Sequence, residues 1–213
     1  MTTIPSQSSL STTQIPPVAA ARLRVVHDRD IDLAGAERGA AVFLSSLGVD
    51  LSQEGLSDTP ARMAKAWAEF FSPRPFDMTT FPNDEGYGDL VLARDVPFRS
   101  ICEHHLLPFT GTAHVGYLPG ERILGLSKLA RVVELFASRP QVQERLTQQV
   151  ANWLRDQLAP LGVGVVLEAE HTCMTLRGVR ATGSVTVTSA MHGLLRDDGR
   201  SREEFFALTG IRR

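Results

Sequence analysis

Residues 112–118 read TAHVGYL and are followed by a Pro-Gly pair at 119–120. The side chains of this stretch alternate as those of a half-buried strand do, and the Pro-Gly pair predicts the turn that closes it. Residues 184–189, SVTVTS, alternate in the same way. Residues 162–169 and the segment that begins at Leu90 are also typical of strands. The second half of the chain is therefore predicted to be rich in β-structure.

Helices precede these strands and interrupt them. A first helix is predicted to end at Gly48 and to bury a face that carries Ala36, Ala40, Phe43, Leu44 and Leu47. A second helix is predicted to begin with Thr59 as its N-cap and Pro60 as its first residue. Its buried stripe contains Met63, Ala64, Trp67, Phe70 and Phe71. Further helices are predicted over residues 127–138, about 140–158 and 203–208. This order of elements indicates an α+β fold with a largely antiparallel sheet.

The N-terminal segment has a different composition. Residues 1–21 contain no charged residue and no histidine, and they are rich in Ser, Thr, Gln and Pro. Such a segment cannot bury enough apolar surface to offset the entropy of ordering it. We therefore predict a disordered arm over residues 1–29 and one folded domain over residues 30–213, which suits a chain of 213 residues.

Composition excludes several classes of protein. The formal net charge is −2 and the pI is about 6.3, so a general nucleic-acid binder is disfavoured. No run approaches the roughly 18 apolar residues of a membrane-spanning helix, and no secretory signal is visible. The 2 cysteines are too few for a disulfide-stapled secreted domain. We expect a cytoplasmic protein that has no nucleic-acid or membrane partner.

Two short clusters combine cysteine with histidine. The first reads CEHH over residues 102–105, and the second reads HTC over residues 171–173. If the second cluster lies on a strand, His171 and Cys173 share a face. Thiolates and imidazoles suit Zn²⁺. Two buried apolar cysteines, or a disulfide between them, remain alternatives, although a reducing cytosol disfavours the disulfide.

The number of ligands indicates the kind of metal site. If Cys102, His105 and Cys173 bind Zn²⁺, the protein supplies three ligands and the fourth position stays open, as in catalytic sites. His104 and His171 then stay unligated beside the metal, where imidazoles are suited to proton transfer.

Several polar residues fit the recognition of a nucleotide. Ser127 can cap a helix whose first turns carry Lys128 and Arg131, where backbone N–H groups also favour anions. Arg177 follows the second Cys/His cluster, and the carboxylate of Glu144 could accept hydrogen bonds from the N–H groups of guanine. Taken alone, Lys128, Arg131 and Glu144, like the helical pair Arg62 and Lys65, are more typical of a solvated helix surface.

Five separated motifs together closely resemble the GTP cyclohydrolase I family. They are CEHH, GLSKLAR, RPQVQERLTQQ, EAEHTCM and RGVRATGSVTVTSA, and TPARMAKAW resembles the family's N-terminal helix. The resemblance covers roughly residues 30–210. It implies a tunnelling fold, in which helices flank an antiparallel sheet, with N-terminal helices over about 30–72 and a catalytic region over about 88–213. It also implies a homodecamer of two pentamers with sites at subunit interfaces.

The resemblance assigns roles to individual residues. The Zn²⁺ ligands would be Cys102, His105 and Cys173, and the catalytic residues would be His104, His171 and Ser127. The triphosphate would contact Ser127, Lys128, Arg131, Arg177 and, from a neighbouring subunit, Arg62 and Lys65. Guanine would be recognised by Gln143 and Glu144. Arg99, Thr175 and Leu176 depart from the family's common residues, which puts at most substrate affinity in doubt.

The implied reaction opens the imidazole ring of GTP at C8, releases formate and closes a pterin ring to give 7,8-dihydroneopterin triphosphate. This is the first step of tetrahydrofolate and pterin biosynthesis and needs no redox cofactor. One alternative is a paralogue that opens the GTP ring for secondary, deazapurine metabolism. Another is a catalytically silent metal-binding scaffold.

Overall fold

The structure, a computed structural model, describes residues 24–25 and 30–211. In chain order the elements are β1 (Arg24–Val25), α1 (Leu33–Ser46), α2 (Thr59–Phe70), β2 (Phe76–Asp77), β3 (Thr80–Pro82), β4 (Val91–Cys102), β5 (Pro108–Leu118), β6 (Arg122–Leu124), α3 (Ser127–Ala137), β7 (Pro140–Gln141), α4 (Gln143–Leu158), β8 (Gly162–His171), α5 (Thr172–Thr175), β9 (Thr186–Gly193), α6 (Leu194–Asp197) and α7 (Gly199–Thr209).

One five-stranded sheet organises the described residues. Its strand order is β7-β4-β5-β8-β9, and every pairing is antiparallel except the short one between β4 and β7. The long strands β4, β5 and β8 are neighbours, so the ends of these strands lie close together at each end of the sheet. The predicted α+β class, its antiparallel sheet and its N-terminal helical region are confirmed.

Alternate residues of β5 face the main core, but the strand is not half-buried as predicted, because residues 113–118 are buried on both of its faces. Ala113, Val115 and Tyr117 are at most 1% exposed and belong to the main core. That core is completed by α3 and α4, whose buried side chains include Leu129, Val132, Leu146, Val150 and Leu154. The Tyr117 hydroxyl accepts a hydrogen bond from the backbone N–H of Leu124, so this buried polar group is satisfied.

A smaller core covers part of the opposite face of the sheet. It contains Leu118, Val166, Leu195 and Phe205, with α6 and α7 packed above the strands. Gly164 is needed there because an added Cβ would lie 2.8 Å from the Phe205 ring. The two faces of the sheet are therefore both covered by helices.

The helix predictions need three corrections. In α1, Ala40 is buried, but Ala36, Phe43 and Leu47 of the predicted buried face are exposed, because α1 packs mainly on α2. The N-cap of α2 is Asp58 rather than Thr59, which is the first helical residue. The residue before α3 is Leu126, so Ser127 begins that helix and does not cap it.

Residues 1–23 and 26–29 of the predicted arm lie outside the described residues. Arg24–Val25 pairs with Phe76–Asp77. Among the described residues, no helix is long and apolar enough to cross a membrane.

Candidate metal centre and active site

The first Cys/His cluster lies in the tight connection between β4 and β5. The backbone N–H of Leu106 donates to the carbonyl of Cys102 at 2.8 Å, and the N–H of Cys102 donates to the carbonyl of Leu107 at 2.9 Å. Leu106 adopts a φ of 52°, a left-handed conformation that reverses the chain. This turn brings Nδ1 of His105 to 3.9 Å from Sγ of Cys102.

The second cluster meets the first, although not in the predicted way. His171 ends β8, but Cys173 lies in the short helix α5 and not on a strand. The helical turn still places Sγ of Cys173 3.9 Å from Sγ of Cys102. The cysteines are free thiols, so the disulfide alternative is not observed.

The three side chains fit a Zn²⁺ site. The ligand atoms of Cys102, His105 and Cys173 all lie within 4.8 Å of one another. A tetrahedral Zn²⁺ with bonds of about 2.0–2.3 Å needs donors roughly 3.5–4 Å apart, so small movements would complete the site. Burial, together with Cys102, raises the pKa of the Cys173 thiol. A divalent cation would favour the thiolate instead, because metal binding releases the ligand's proton.

His171 is held beside this cluster by two contacts. Its ring stacks on Phe109 with a centroid distance of 4.4 Å and an interplanar angle of 10°. Its Nε2 lies 2.8 Å from Oε1 of Gln143. Burial lowers the pKa of His171, and the nearby carboxylate of Glu144 opposes that shift. The ring of His171 is therefore held in a fixed position beside the cluster.

His104 differs from His171 in being exposed. Its Nδ1 lies 4.0 Å from Sγ of Cys102, and its ring is 6.4 Å from the His105 ring. His104 thus borders the cluster and faces solvent, where it is accessible to a substrate.

The two residues expected to recognise guanine behave differently. Glu144 is exposed in the first turn of α4. Gln143 is 2% exposed, and its side-chain amide is hydrogen-bonded entirely within the protein. The side chain of Gln143 is therefore not presented to a ligand.

The basic residues divide into two groups. Arg177 lies at the metal cluster, where its Nη1 donates to Nε2 of His105 at 3.0 Å. The remaining predicted triphosphate contacts lie elsewhere, on α2 and α3. Ser127 and Arg131 line a groove of about 900 Å³ between α2, β4 and α3, and no metal-cluster residue lines it.

Three of the distant basic residues have a local contact. Arg62 pairs with Asp58 at 3.1 Å, and Arg131 pairs with Glu134 at 3.3 Å. The ammonium of Lys128 lies 5.9 Å from the centroid of the Phe76 ring. Lys65 is exposed. Apart from Arg177, the predicted triphosphate residues are therefore not brought to the metal cluster within one chain.

Comparison with known proteins identifies the family. Residues 36–210 match the GTP cyclohydrolase I family. The chain belongs to the GTP cyclohydrolase I family.

Individual relatives agree with this assignment. The GTP cyclohydrolase 1 of Aquifex aeolicus is 51% identical over 178 residues, which are 84% of this chain and 97% of that protein. The GTP cyclohydrolase 1 of a Hydrogenobaculum species is 49% identical over 178 residues, covering 84% and 98%. Among solved structures, an archaeosine synthase QueF-like enzyme has a TM-score of 0.40 at 18% identity and covers 49% of this chain and 93% of its own. The predicted membership in the GTP cyclohydrolase I family is confirmed.

The structure also shows polar pairs that sequence reasoning missed. In this GTP cyclohydrolase I chain, Glu103 of the CEHH motif accepts two hydrogen bonds from Arg145 of α4, at 2.6 and 2.9 Å. The Arg145 guanidinium lowers the pKa of Glu103. The pair ties the turn that carries the CEHH motif to the helix that carries Glu144. Both residues lie in quoted motifs, but no spacing rule pairs residues 42 positions apart.

A second missed pair lies in the groove. Glu134 accepts from both Nε and Nη2 of Arg74 at 2.7 Å, as well as from Arg131. Burial alone would raise the pKa of Glu134, but the hydrogen bonds from Arg74 outweigh it and lower the pKa. Arg74 thus supplies a second positive charge beside a carboxylate that would otherwise neutralise Arg131.

Proposed function

We propose that this protein is a GTP cyclohydrolase that hydrolyses GTP at C8, releases formate and forms 7,8-dihydroneopterin triphosphate. The observation that carries the proposal is the meeting of Cys102, His105 and Cys173 beside His171, in a chain that belongs to this family. Ring opening at C8 needs an activated water and a proton donor, and this end of the sheet holds groups suited to both.

Cys102, His105 and Cys173 would hold Zn²⁺. When bound there, Zn²⁺ would supply a Lewis acid that lowers the pKa of a water from its bulk value towards neutrality. Three protein ligands leave one coordination position for water or substrate.

The chain's own histidines would move the protons. His171 gives a proton to N7 of the purine as water adds to C8, and the imidazole ring opens. The ribose then rearranges through proton transfers near C2′, for which the exposed His104 and a neighbouring subunit's Ser127 are candidates. General acid–base catalysis of this kind contributes about 10²–10⁴ in rate.

Guanine would be recognised by residues at the start of α4. The exposed carboxylate of Glu144 can accept from N1–H and the exocyclic amine, an edge that adenine does not offer. The Gln143 side chain is engaged within the protein, so its share in recognition would come from its backbone. The first N–H groups of a helix have no partner within that helix and can donate to the base.

The triphosphate site would be shared between subunits. Arg177 stands at the metal cluster, whereas Ser127, Lys128 and Arg131 lie on α3, where Ser127 and Arg131 line the groove. Arg62 and Lys65 lie on α2 and are both exposed. Bringing all six to one triphosphate requires more than one copy of the chain.

Two surface features support an oligomer, for which we propose the homodecamer of the family. In the described residues, β9 pairs only with β8, and the outer side of β4 pairs only at its last two residues, Ile101 and Cys102. Free strand edges are templates for pairing with another chain. A β4 edge set against a β9 edge is a head-to-tail contact, the kind of contact from which closed rings are built. The exposed apolar side chains of Val42, Phe43 and Leu47 give α1 a further surface to bury.

Two alternatives are separated by the same assay. A paralogue of deazapurine metabolism would open the ring of GTP but yield a different final product. A silent scaffold would bind the metal and release no formate. Family membership with every assigned residue present favours the cyclohydrolase over both, and a cytoplasmic location with a role in tetrahydrofolate and one-carbon metabolism follows from that activity.

The deciding experiment incubates the Zn²⁺-loaded protein with GTP. We expect one formate per GTP consumed, a pterin chromophore and the mass of dihydroneopterin triphosphate. ATP and metal-free protein serve as controls. Formate without a pterin would favour the paralogue, and the absence of both with Zn²⁺ fully loaded would contradict the proposed function.

A further inference from the structure

The Gln143 amide points into the protein and towards His171. Its Nε2 lies 3.0 Å from the carbonyl oxygen of Leu167 and 2.9 Å from that of Thr186. Carbonyl oxygens can only accept, so the nitrogen end of the amide must face these two strands. The oxygen end then faces His171, with Oε1 2.8 Å from Nε2 of the ring.

Two threonine hydroxyls close a ring of hydrogen bonds around the same residue. The Thr147 hydroxyl donates to the backbone carbonyl of Gln143 at 2.8 Å, and it lies 2.6 Å from the Thr188 hydroxyl. Since the Thr147 proton is already used, Thr188 donates to Thr147. Oγ of Thr188 is then an acceptor for Nε2 of Gln143 at 3.1 Å. Turning the amide over would set its oxygen against two carbonyls that cannot donate, so its orientation is fixed.

We infer that Gln143 is a positioning residue that holds His171 in the Nε2–H tautomer, so that Nδ1 is the nitrogen through which His171 gives and receives its proton. An amide oxygen can only accept, so Nε2 of His171 must carry the hydrogen. The Phe109 stack at 4.4 Å fixes the plane of the ring, and the amide fixes its rotation within that plane. The inference rests on the proposed function of His171 as the proton donor.

This arrangement suits repeated proton transfer. When Nδ1 is protonated, His171 is a cation, and its proton passes to N7 of the purine. The neutral ring that remains still has its hydrogen on Nε2, and Nδ1 takes a new proton from water. Oε1 of Gln143 accepts the same hydrogen bond in both charge states, so no side chain has to reorient during the cycle.

Gln143 and Glu144 are expected to affect different kinetic constants. A residue that contacts guanine through its side chain raises KM for GTP when it is removed. A residue that acts through His171 lowers kcat and leaves KM unchanged, because the substrate does not touch it. Gln143 should fall in the second class.

The first test compares two matched variants. Gln143→Met keeps the length of the side chain and removes its hydrogen-bonding groups. Asn152→Leu removes another amide–imidazole bond between α4 and β9, in which Oδ1 of Asn152 accepts from Nε2 of His192 at 2.8 Å. We expect Gln143→Met to lose at least about tenfold in kcat, with KM, Zn²⁺ content and oligomeric state unchanged. Asn152→Leu should keep kcat.

Two outcomes would overturn the inference. A higher KM with unchanged kcat in Gln143→Met would make Gln143 a substrate contact. An equal loss of kcat in both variants would indicate a general loosening of α4 against β9.

The second test needs no turnover. The full-length, Zn²⁺-loaded protein is labelled with ¹⁵N-histidine, and the ring nitrogens of its 6 histidines are observed by solid-state NMR at about pH 8, above the ordinary histidine pKa. The His171 signals are those that His171→Ala removes. We expect a protonated Nε2 and an unprotonated Nδ1, and the opposite tautomer would refute the inference. If this tautomer is found in a protein that releases no formate from GTP, only the proposed function fails.

Discussion

The metal-bearing end of the sheet and the groove between α2 and α3 differ in how much of a site one chain provides. At the end of the sheet, three candidate ligands from residues 102–105 and 173 lie within 4.8 Å of one another. Ser127 and Arg131 line the groove, but no residue of the metal cluster does. Arg131 is paired there with Glu134 at 3.3 Å. One chain brings the candidate metal ligands together, whereas Ser127 and Arg131, which are predicted to bind the triphosphate, line a separate groove.

The difference follows from how the side chains are held. Cysteine and histidine are short, so the backbone hydrogen bonds of the β4–β5 turn place them directly. Arg62, Arg74 and Arg131 are long and held by carboxylates; Arg62 and Arg74 are exposed, and Arg131 is partly buried. Such surface pairs contribute about 0–1 kcal/mol, so a triphosphate can displace them at small cost.

The largest effect on activity should come from removing one of the three candidate metal ligands at the end of the sheet. Cys173→Ala leaves Cys102 and His105 as the only protein ligands, and we expect Zn²⁺ and formate release to be lost together. Metal content by mass spectrometry and a formate assay measure this. A Cys173→Ala protein with full Zn²⁺ occupancy would show that the ligand set is wrong.

His171→Ala should have the next largest effect and should spare the metal. His171 lies beside the cluster without being one of its three ligands, so Zn²⁺ and GTP binding should persist while formate release falls at least about a hundredfold. His105→Ala, the matched variant, should lose Zn²⁺ first. If His171→Ala loses Zn²⁺ and His105→Ala keeps it, the two histidines have been assigned the wrong way round.

A mixed oligomer tests the comparison between the two regions most directly. His171→Ala damages the metal region, and Arg131→Ala damages the groove. If one active site takes these residues from different subunits, co-assembly of the two variants creates some sites with both residues intact. Formate release by the mixture should then exceed the average of the two parents severalfold. Activity equal to that average would place both residues in one chain's site.

The smallest effect concerns stability in the groove. The folded-state pKa of Glu134 is lowered, so its contribution is present above the unfolded pKa of about 4.3 and is lost as the pH falls through the folded pKa. Glu134→Gln should therefore be less stable than the wild type at neutral pH, by about 1 kcal/mol or less, and the difference should shrink in acid. Urea midpoints at several pH values measure this. A difference that is constant with pH would contradict the ionic origin.

Much of the fold could be predicted because the strands follow the period of two. Residues 112–118 lie within β5, and residues 162–169 lie within β8. The caps of α2 and α3 were misplaced by one residue, since cap geometry depends on neighbouring turns that the pattern does not describe. The exposed face of α1 was predicted to be buried, because amphipathicity does not say whether the partner belongs to the same chain.

The metal cluster was predictable because its residue types are rare and point to one chemistry. The location of Cys173 in α5 could not be predicted, because His171 and Cys173 have the spacing of two residues on one face of a continuing strand. The burial of Gln143 could not be predicted either, because the hydrogen-bond partners of its side chain lie 24 to 45 positions away in sequence. Long-range hydrogen bonds of this kind leave no local pattern.

The separation of the ligands along the chain has a consequence for biosynthesis. Cys102 and His105 leave the ribosome well before Cys173, and β8 has to pair with β5 to bring the third candidate ligand to them. Capture of a metal by all three residues would therefore be a late event, which requires the chain to be synthesised through α5. A nascent chain that stalls before α5 would hold two ligands at most, so zinc retention would report that Cys173 has been made and that β8 has paired with β5.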